Sequence, residues 1–313
     1  MDLRISVYDV GARYGLHPSL ELLLGKAQVH LFEPDPVEAT RLSQQYEAMP
    51  ALTVHQTAVG EASVSRVFEL RRHRGLSGFA DQLANTTEWQ IGVYQEGLAR
   101  DSIIEVPVQP LSDFLGEDPA ILKVDCEGGE FQVIQSCGSA LERVVGLRIE
   151  TSFKPLYHGA ATFSDIESFL ADNQLDFIGF DTAPNGFDYG RFSLPHSIVR
   201  RVAGDALWVK RRRDFRDSRD WLAASLFLYL QHAHGLGLEL LDDWTDEGVQ
   251  LDFQQSAIES LIHALVIKHV LEARTLQYYA VEDIEATYRR VFRQPFPSRE
   301  TAFELLRQAR IGI

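Results

Sequence analysis

Asp9-Val10-Gly11-Ala12-Arg13-Tyr14-Gly15 joins a predicted strand to a predicted helix. An apolar run, residues 3–9, leads into it and predicts a first strand. A helix is expected after it, with Pro18 in the first turn and Gly25 as its stop. Glycines between a strand and a helix let the backbone turn tightly and approach a ligand. Residues 28–32 read as the second strand, and Glu33 ends it. In open α/β sheets ligands sit at the carboxyl ends of strands, and an acid at this spacing suits ribose hydroxyls.

Two ligand classes share such a layout. A dinucleotide sets its pyrophosphate on the helix N-terminus and calls for Gly-x-Gly-x-x-Gly. This chain has Gly-x-x-x-Gly instead, and Asp9 within the turn would repel pyrophosphate. S-adenosylmethionine carries a sulfonium, an ammonium and a carboxylate but no phosphate, so acids beside the turn favour it. A nicotinamide oxidoreductase is disfavoured on the same grounds.

Outward from the turn, short apolar runs alternate with helical patterns, as in an α/β sheet with crossover helices. Asp35, Pro36 and Glu38 form a helix start. Further strands are expected at 52–59, 120–125, 144–150, 176–180 and 205–209, with helices from about 130 and over 162–173. Residues 75–100 read as a loop with one helix, and loops of that length often carry function. Beyond the basic run 210–213 the pattern turns helical, with candidates at 221–234, 256–279, 281–292 and 299–309. The expected division is a domain of residues 1–213 and a helical C-terminal region of residues 214–313.

The chain has 313 residues, 45% of them hydrophobic, which is ample for a core. A formal charge of −15 argues against a nucleic-acid partner, which would call for a basic face. Cys126 and Cys137 read as reduced thiols, and no Cys/His cluster has zinc spacing. With no signal-peptide pattern and no apolar run long enough to span a bilayer, a cytoplasmic location is the expectation.

Four further segments follow the turn in order. They are Leu31-Phe32-Glu33-Pro34-Asp35-Pro36, Thr57-Ala58-Val59-Gly60, Leu122-Lys123-Val124-Asp125-Cys126-Glu127-Gly128-Gly129-Glu130 and Leu147-Arg148-Ile149-Glu150. The set resembles the FkbM family of methyltransferases over roughly residues 5–211; the helical tail lies outside it. The resemblance implies a class I methyltransferase (Rossmann-like) fold, a mostly parallel seven-stranded sheet, here with an all-helical C-terminal extension. It implies S-adenosylmethionine as cofactor and methylation of an oxygen on a glycan or secondary metabolite. By position Asp9, Gly11, Ala12, Arg13, Tyr14 and Gly15 would cradle the donor's amino-acid part. Glu33 would hold the ribose, Pro34 and Asp35 would shape the adenosine pocket, and Thr57, Ala58 and Val59 would lie near adenine. Ser77 resembles the family's serine-rich loop and would close over the donor. Arg13 stands where the family commonly has Asn; it would either bind the donor's carboxylate or lean into solvent.

An alcohol is a poor nucleophile, so a general base would help. Asp125, Glu127 and Glu150 are the candidates, with Asp125 also near the donor. Glu130 reads as a first-turn acid on a helix dipole. Lys123 alternates into the sheet and would need a carboxylate partner, Asp125 or Glu150. Paired carboxylates could hold a divalent cation, but the spacing demands none and no metal ligand is assigned. Arg71, Arg72, His73 and Arg74 read as a solvated loop or as contacts to an anionic acceptor. The apolar stripe from Ile258 to Val270 reads as core or as a surface for homo-oligomerisation or docking. The alternatives are an N-methyltransferase of the same fold and a non-catalytic module that binds the donor or a partner.

Overall fold

The computed structural model describes residues 4–79, 96–181, 188–189, 200–246, 257–278 and 280–312. The central sheet takes β1 (Ser6–Val10), β2 (Gln28–Phe32) and β3 (Leu52–His55) on one side. On the other stand β7 (Ala120–Val124), β8 (Val144–Ser152), β9 (Leu175–Phe180) and β12 (Ala203–Lys210). Their order is β3-β2-β1-β7-β8-β12-β9, with β12 alone antiparallel to its neighbours. The chain reverses its direction of growth between β1 and β7, and a ligand crevice opens at such a switch point.

Period-2 alternation sends side chains to opposite faces. Tyr8, Val10, Leu122, Val124, Leu147 and Ile149 form one core with α2 (Glu130–Gln135) and α3 (Phe163–Asp172). Val7, Val29 and Ile121 face the other way, into a core shared with the C-terminal helices, and a register shift between β7 and β8 turns Val145 to that side as well. These are α4 (Ser218–Leu230), α5 (His234–Asp246), α6 (Ala257–Thr275), α7 (Val281–Phe292) and α8 (Arg299–Gln308). α4 lies directly on the sheet and is buried at every residue from Asp220 to Leu230, as an all-round apolar helix must be. Gly146 makes room for it, since a Cβ there would stand 2.3 Å from the Phe227 ring. The core is thus continuous across residue 213.

Several expected elements differ. The helix after the turn does start at Pro18 and stop just before Gly25, but it is a 3-10 helix, Pro18–Leu23. The strand expected at 52–59 is two: β3, then β4 (Ala58–Val59), which joins a second sheet. That sheet, ordered β4-β6-β5, adds β5 (Val64–Arg71) and β6 (Arg100–Gln109), neither read from the sequence, and β10 (Asp188–Tyr189) pairs antiparallel with β11 (Arg200–Arg201). Thr57 marks the switch, its hydroxyl donating to Pro107 O at 3.0 Å. Helix α1 (Pro36–Gln45) starts as expected, with Asp35 accepting from the Val37 amide. α5 was not foreseen, and Lys210, at the start of the basic run, is buried against Asp220. The tip of the expected 75–100 loop, residues 80–95, lies outside the described residues, as do residues 256 and 279 at the ends of the helix expected there. Among the described residues no helix is long and apolar enough to cross a membrane.

Candidate active site

The carboxyl ends of β1, β2 and β7 converge on the turn. Gly11 and Ala12 amides donate to Phe32 O at 3.2 and 3.1 Å, and the Asp125 amide donates to Val10 O at 3.1 Å. Gly11 and Gly15 have φ of 82° and 104°, a conformation that favours glycine. A Cβ on Gly11 would stand 1.7 Å from Asp125 O, and one on Gly15 would stand 2.6 Å from the Tyr46 hydroxyl. Gly11 is therefore dictated by close backbone approach as well as by φ, and Gly15 by φ.

A narrow pocket of about 80 Å³ sits on this turn. It brings together Gly11, Arg13, Glu33 and Pro34 from the first two strand ends and Thr57, Ala58 and Val59 from the third. Ser77 and Asp125 also stand in its wall. Phe32, Phe68 and Phe79 supply apolar surface, and Arg74 and Cys126 line it too. Phe68 belongs to the hairpin of β5 and β6, so its place could not be read from the primary pattern. Asp9, Ala12, Tyr14, Gly15 and Asp35 are not in the lining. Along Val59, Phe79, Cys126 and Gly129 the pocket shares its wall with a cleft of about 460 Å³.

Asp9 is fully buried and underlies the turn. Its Oδ1 lies 3.1 Å from Lys123 Nζ and its Oδ2 accepts from the His17 amide at 2.8 Å. Lys123 also reaches Asp125 at 3.6 Å and donates to Gly11 O at 3.3 Å. Burial works against the Lys123 ammonium, but Asp9 and Asp125 outweigh it and hold its pKa above the ordinary lysine value. The partner the sequence left out is thus Asp9; Glu150 is not one of the ion-pair partners of Lys123. Arg13 neither leans into solvent nor stands free. It contacts Asp35 at 3.2 Å, Glu38 at 3.6 Å and Glu33 at 4.0 Å, clasping the turn to the end of β2.

Glu33 Oε1 accepts from the Asp35 amide at 2.8 Å. Burial raises its pKa to about 7, against the pull of that amide and of Arg13. Beyond Asp125 the carboxylates gather: Asp125, Glu127 and Glu150 each place one oxygen within 4.8 Å of the others. A group so spaced could take a metal ion, though acids gather this way without one. Glu127 and Glu150 line a neighbouring pocket with Tyr157, whose hydroxyl donates to Glu127 Oε2. Glu127 has φ 59°, and its pKa is raised to about 8 by burial and by Asp125. Burial, then Asp125 and Glu127, lift Glu150 well above the carboxylate range; among the described residues its carboxyl group makes no hydrogen bond or ion pair. Glu130 serves structure, accepting from the Cys126 and Gly128 amides at 3.0 and 3.1 Å. Arg71 is buried and paired with Glu69 at 3.2 Å, not a solvated loop residue. Cys126 and Cys137 are free thiols.

The site suits an adenosyl sulfonium donor. It joins a glycine turn permitting backbone approach, an acid at the carboxyl end of β2, aromatic walls and a carboxylate-rich mouth. No curated protein matches the chain. Among solved structures it is similar to the 23S rRNA methyltransferase ErmE at 12% identity, covering 92% of this chain and 91% of that one, TM-score 0.30. It is similar to a precorrin-6y C5,15-methyltransferase from Geobacter metallireducens at 11% identity, covering 67% and 85%, TM-score 0.28. MtNAS in complex with MTA and tNA follows at 13% identity, covering 66% and 53%, TM-score 0.27. Likeness this distant carries no functional argument. The FkbM methyltransferase domain, by contrast, matches residues 9–178, more than half of the chain and all of the strand ends that build the pocket, and the protein therefore belongs to the FkbM family of S-adenosylmethionine-dependent methyltransferases.

Proposed function

We propose that the chain methylates a hydroxyl oxygen of a glycan or secondary metabolite, with Asp125, Glu127 and Glu150 facing the acceptor. The observation that carries this reading is the meeting of those three carboxylates, within 4.8 Å of one another, beside the pocket that Gly11 and Glu33 line. A hydroxyl must lose its proton as it is methylated, and carboxyl groups crowded together cannot all ionise, which brings one of them near working pH. Glu127, at about 8, is the group so poised. When bound, the donor supplies an electrophilic methyl group on a sulfonium. Glu33 accepts from ribose hydroxyls, Gly11 to Gly15 hold the amino-acid end, and Val59, Phe68 and Phe79 exclude water from the adenine. The acceptor oxygen gives its proton to Glu127, whose other oxygen is held by Tyr157.

Two measurements probe these roles. Glu33→Gln is expected to weaken S-adenosylhomocysteine by about 10- to 100-fold, the range for a charge-assisted hydrogen bond. Because ribose hydroxyls bind the carboxylate form and Glu33 titrates at about 7, wild-type affinity rises with pH through that value and then levels off. Isothermal titration at several pH values checks both, and a variant of unchanged affinity removes Glu33 from the ribose.

For the base, turnover is expected to rise with pH through about 8, the value for Glu127. The Tyr157 hydrogen bond pulls that value down, so Tyr157→Phe moves the rise to higher pH, and Glu127→Gln abolishes it. A pH profile unaltered in both variants argues against Glu127 as base. Incubation with methyl-labelled donor and glycan or metabolite extracts tests the acceptor. Label in an ether supports the proposal, and label recovered only on nitrogen overturns it.

A further inference from the structure

A line of buried polar contacts runs from the helical C-terminal region to the donor turn. Gln231, which closes α4, is buried, and its Oε1 accepts from Arg148 Nη1 at 2.8 Å. Its Nε2 donates to Ser19 Oγ at 3.0 Å. That hydroxyl lies 2.9 Å from His17 Nδ1, and the same ring nitrogen accepts the Ser19 amide at 3.2 Å. A nitrogen that accepts a backbone N–H carries no proton, so the hydroxyl donates to it. Burial, with the cations Arg148 and Lys123 nearby, keeps His17 neutral by lowering its pKa to about 4. The His17 amide in turn donates to Asp9 at 2.8 Å, beneath the turn.

Each link therefore has a direction. Gln231 donates to Ser19, Ser19 donates to the His17 ring, and the His17 amide donates to Asp9. The need for such a line is local. The segment after the turn is a six-residue 3-10 helix with His17 as its cap, too short to fix its own entry by regular helical bonds. Arg148 anchors the far end, holding Asp181 at 2.5 Å and Asp205 at 2.6 Å while it grips Gln231.

The geometry points to Gln231 and Ser19 as positioning residues through which the helical C-terminal region, outside the matched family segment, fixes the donor turn by way of His17 and Asp9. This rests on the reading of that turn as the donor site. It makes the C-terminal helices part of the donor-binding machinery.

The test titrates S-adenosylhomocysteine into the full chain and, without ligand, follows hydrogen exchange of the His17 amide. Ser19→Ala and Gln231→Leu are each expected to lower affinity about three- to tenfold, the range for one hydrogen bond, and to speed that exchange. Residues acting in one line are non-additive, so the double variant is expected to be no worse than the weaker single. Gln231→Glu keeps an acceptor for Arg148 but loses the donor to Ser19. It is expected to match Ser19→Ala in affinity while melting close to wild type, an outcome a purely structural role would not give. Should Gln231→Leu fail to fold, Ser19→Ala and Gln231→Glu carry the comparison. Wild-type affinity and exchange in those two variants would overturn the proposal, as would additive losses in the double variant. If the wild-type chain binds no S-adenosylhomocysteine, the donor reading fails. His17 exchange still decides the line: faster in the variants if it exists, equal if it does not.

Discussion

Gly11→Ala is expected to destabilise the protein by about 2–5 kcal/mol and to remove donor binding. Two costs add. The residue has φ 82°, where a Cβ is disfavoured by about 1–2 kcal/mol. That Cβ would also stand 1.7 Å from Asp125 O and 2.8 Å from Asp125 C. These are backbone atoms at the end of β7, so relief requires β1 and β7 to part where the pocket forms. Gly25 provides the control. It has φ 72° with nothing within 4 Å of its would-be Cβ, so Gly25→Ala bears the backbone cost alone. Denaturant unfolding of the two variants separates strain from clash. Equal losses would show that the approach of Asp125 to Gly11 is not what fixes this turn.

Lys123→Met is expected to cost about 3–5 kcal/mol, because it leaves the Asp9 carboxylate buried without its cation. Asp9 is fully buried and its ammonium partner is 3.1 Å away. The loss comes mainly from the stranded charge, so adding Asp9→Asn should return part of it; the double variant is expected to be more stable than Lys123→Met alone. Unfolding curves for the two singles and the double give the coupling directly. A loss in Lys123→Met below about 1 kcal/mol, the value of an exposed pair, would contradict the burial of this one.

Both residues show how far the sequence could be read. The alternation of Val7, Tyr8 and Val10 and the run Ile121 to Val124 were legible as strands because each side chain meets one of two cores. The Gly11, Glu33 and Thr57 positions were legible as one site because strand ends in such a sheet face a common crevice. That Lys123 pairs with Asp9 was not legible. They are neighbours only through the register of β1 on β7, two strands far apart in the chain. The hairpin of β5 and β6 was missed because the first half of β5 is exposed and shows no alternation. α5 was missed because Gly235 and Gly237 weaken its helical signal. Gly237 is nonetheless required, since a Cβ there would meet the Tyr229 ring at 2.8 Å.

Arg13 is the other instructive position. A lone cation in a glycine turn invites pairing with the ligand's carboxylate, yet three acids of this chain already surround it. Its charge is used to hold the end of β2 against the turn, which orients Glu33. That local arrangement matters for the proposed donor site, in which the turn from Asp9 to Gly15 and Glu33 together hold the adenosyl ligand. The most direct test is isothermal titration of the wild-type chain with S-adenosylhomocysteine and, separately, with NAD. Saturable one-to-one binding of the adenosyl ligand and none of NAD is the predicted result; no heat from the adenosyl ligand, or binding of NAD in its place, would contradict it.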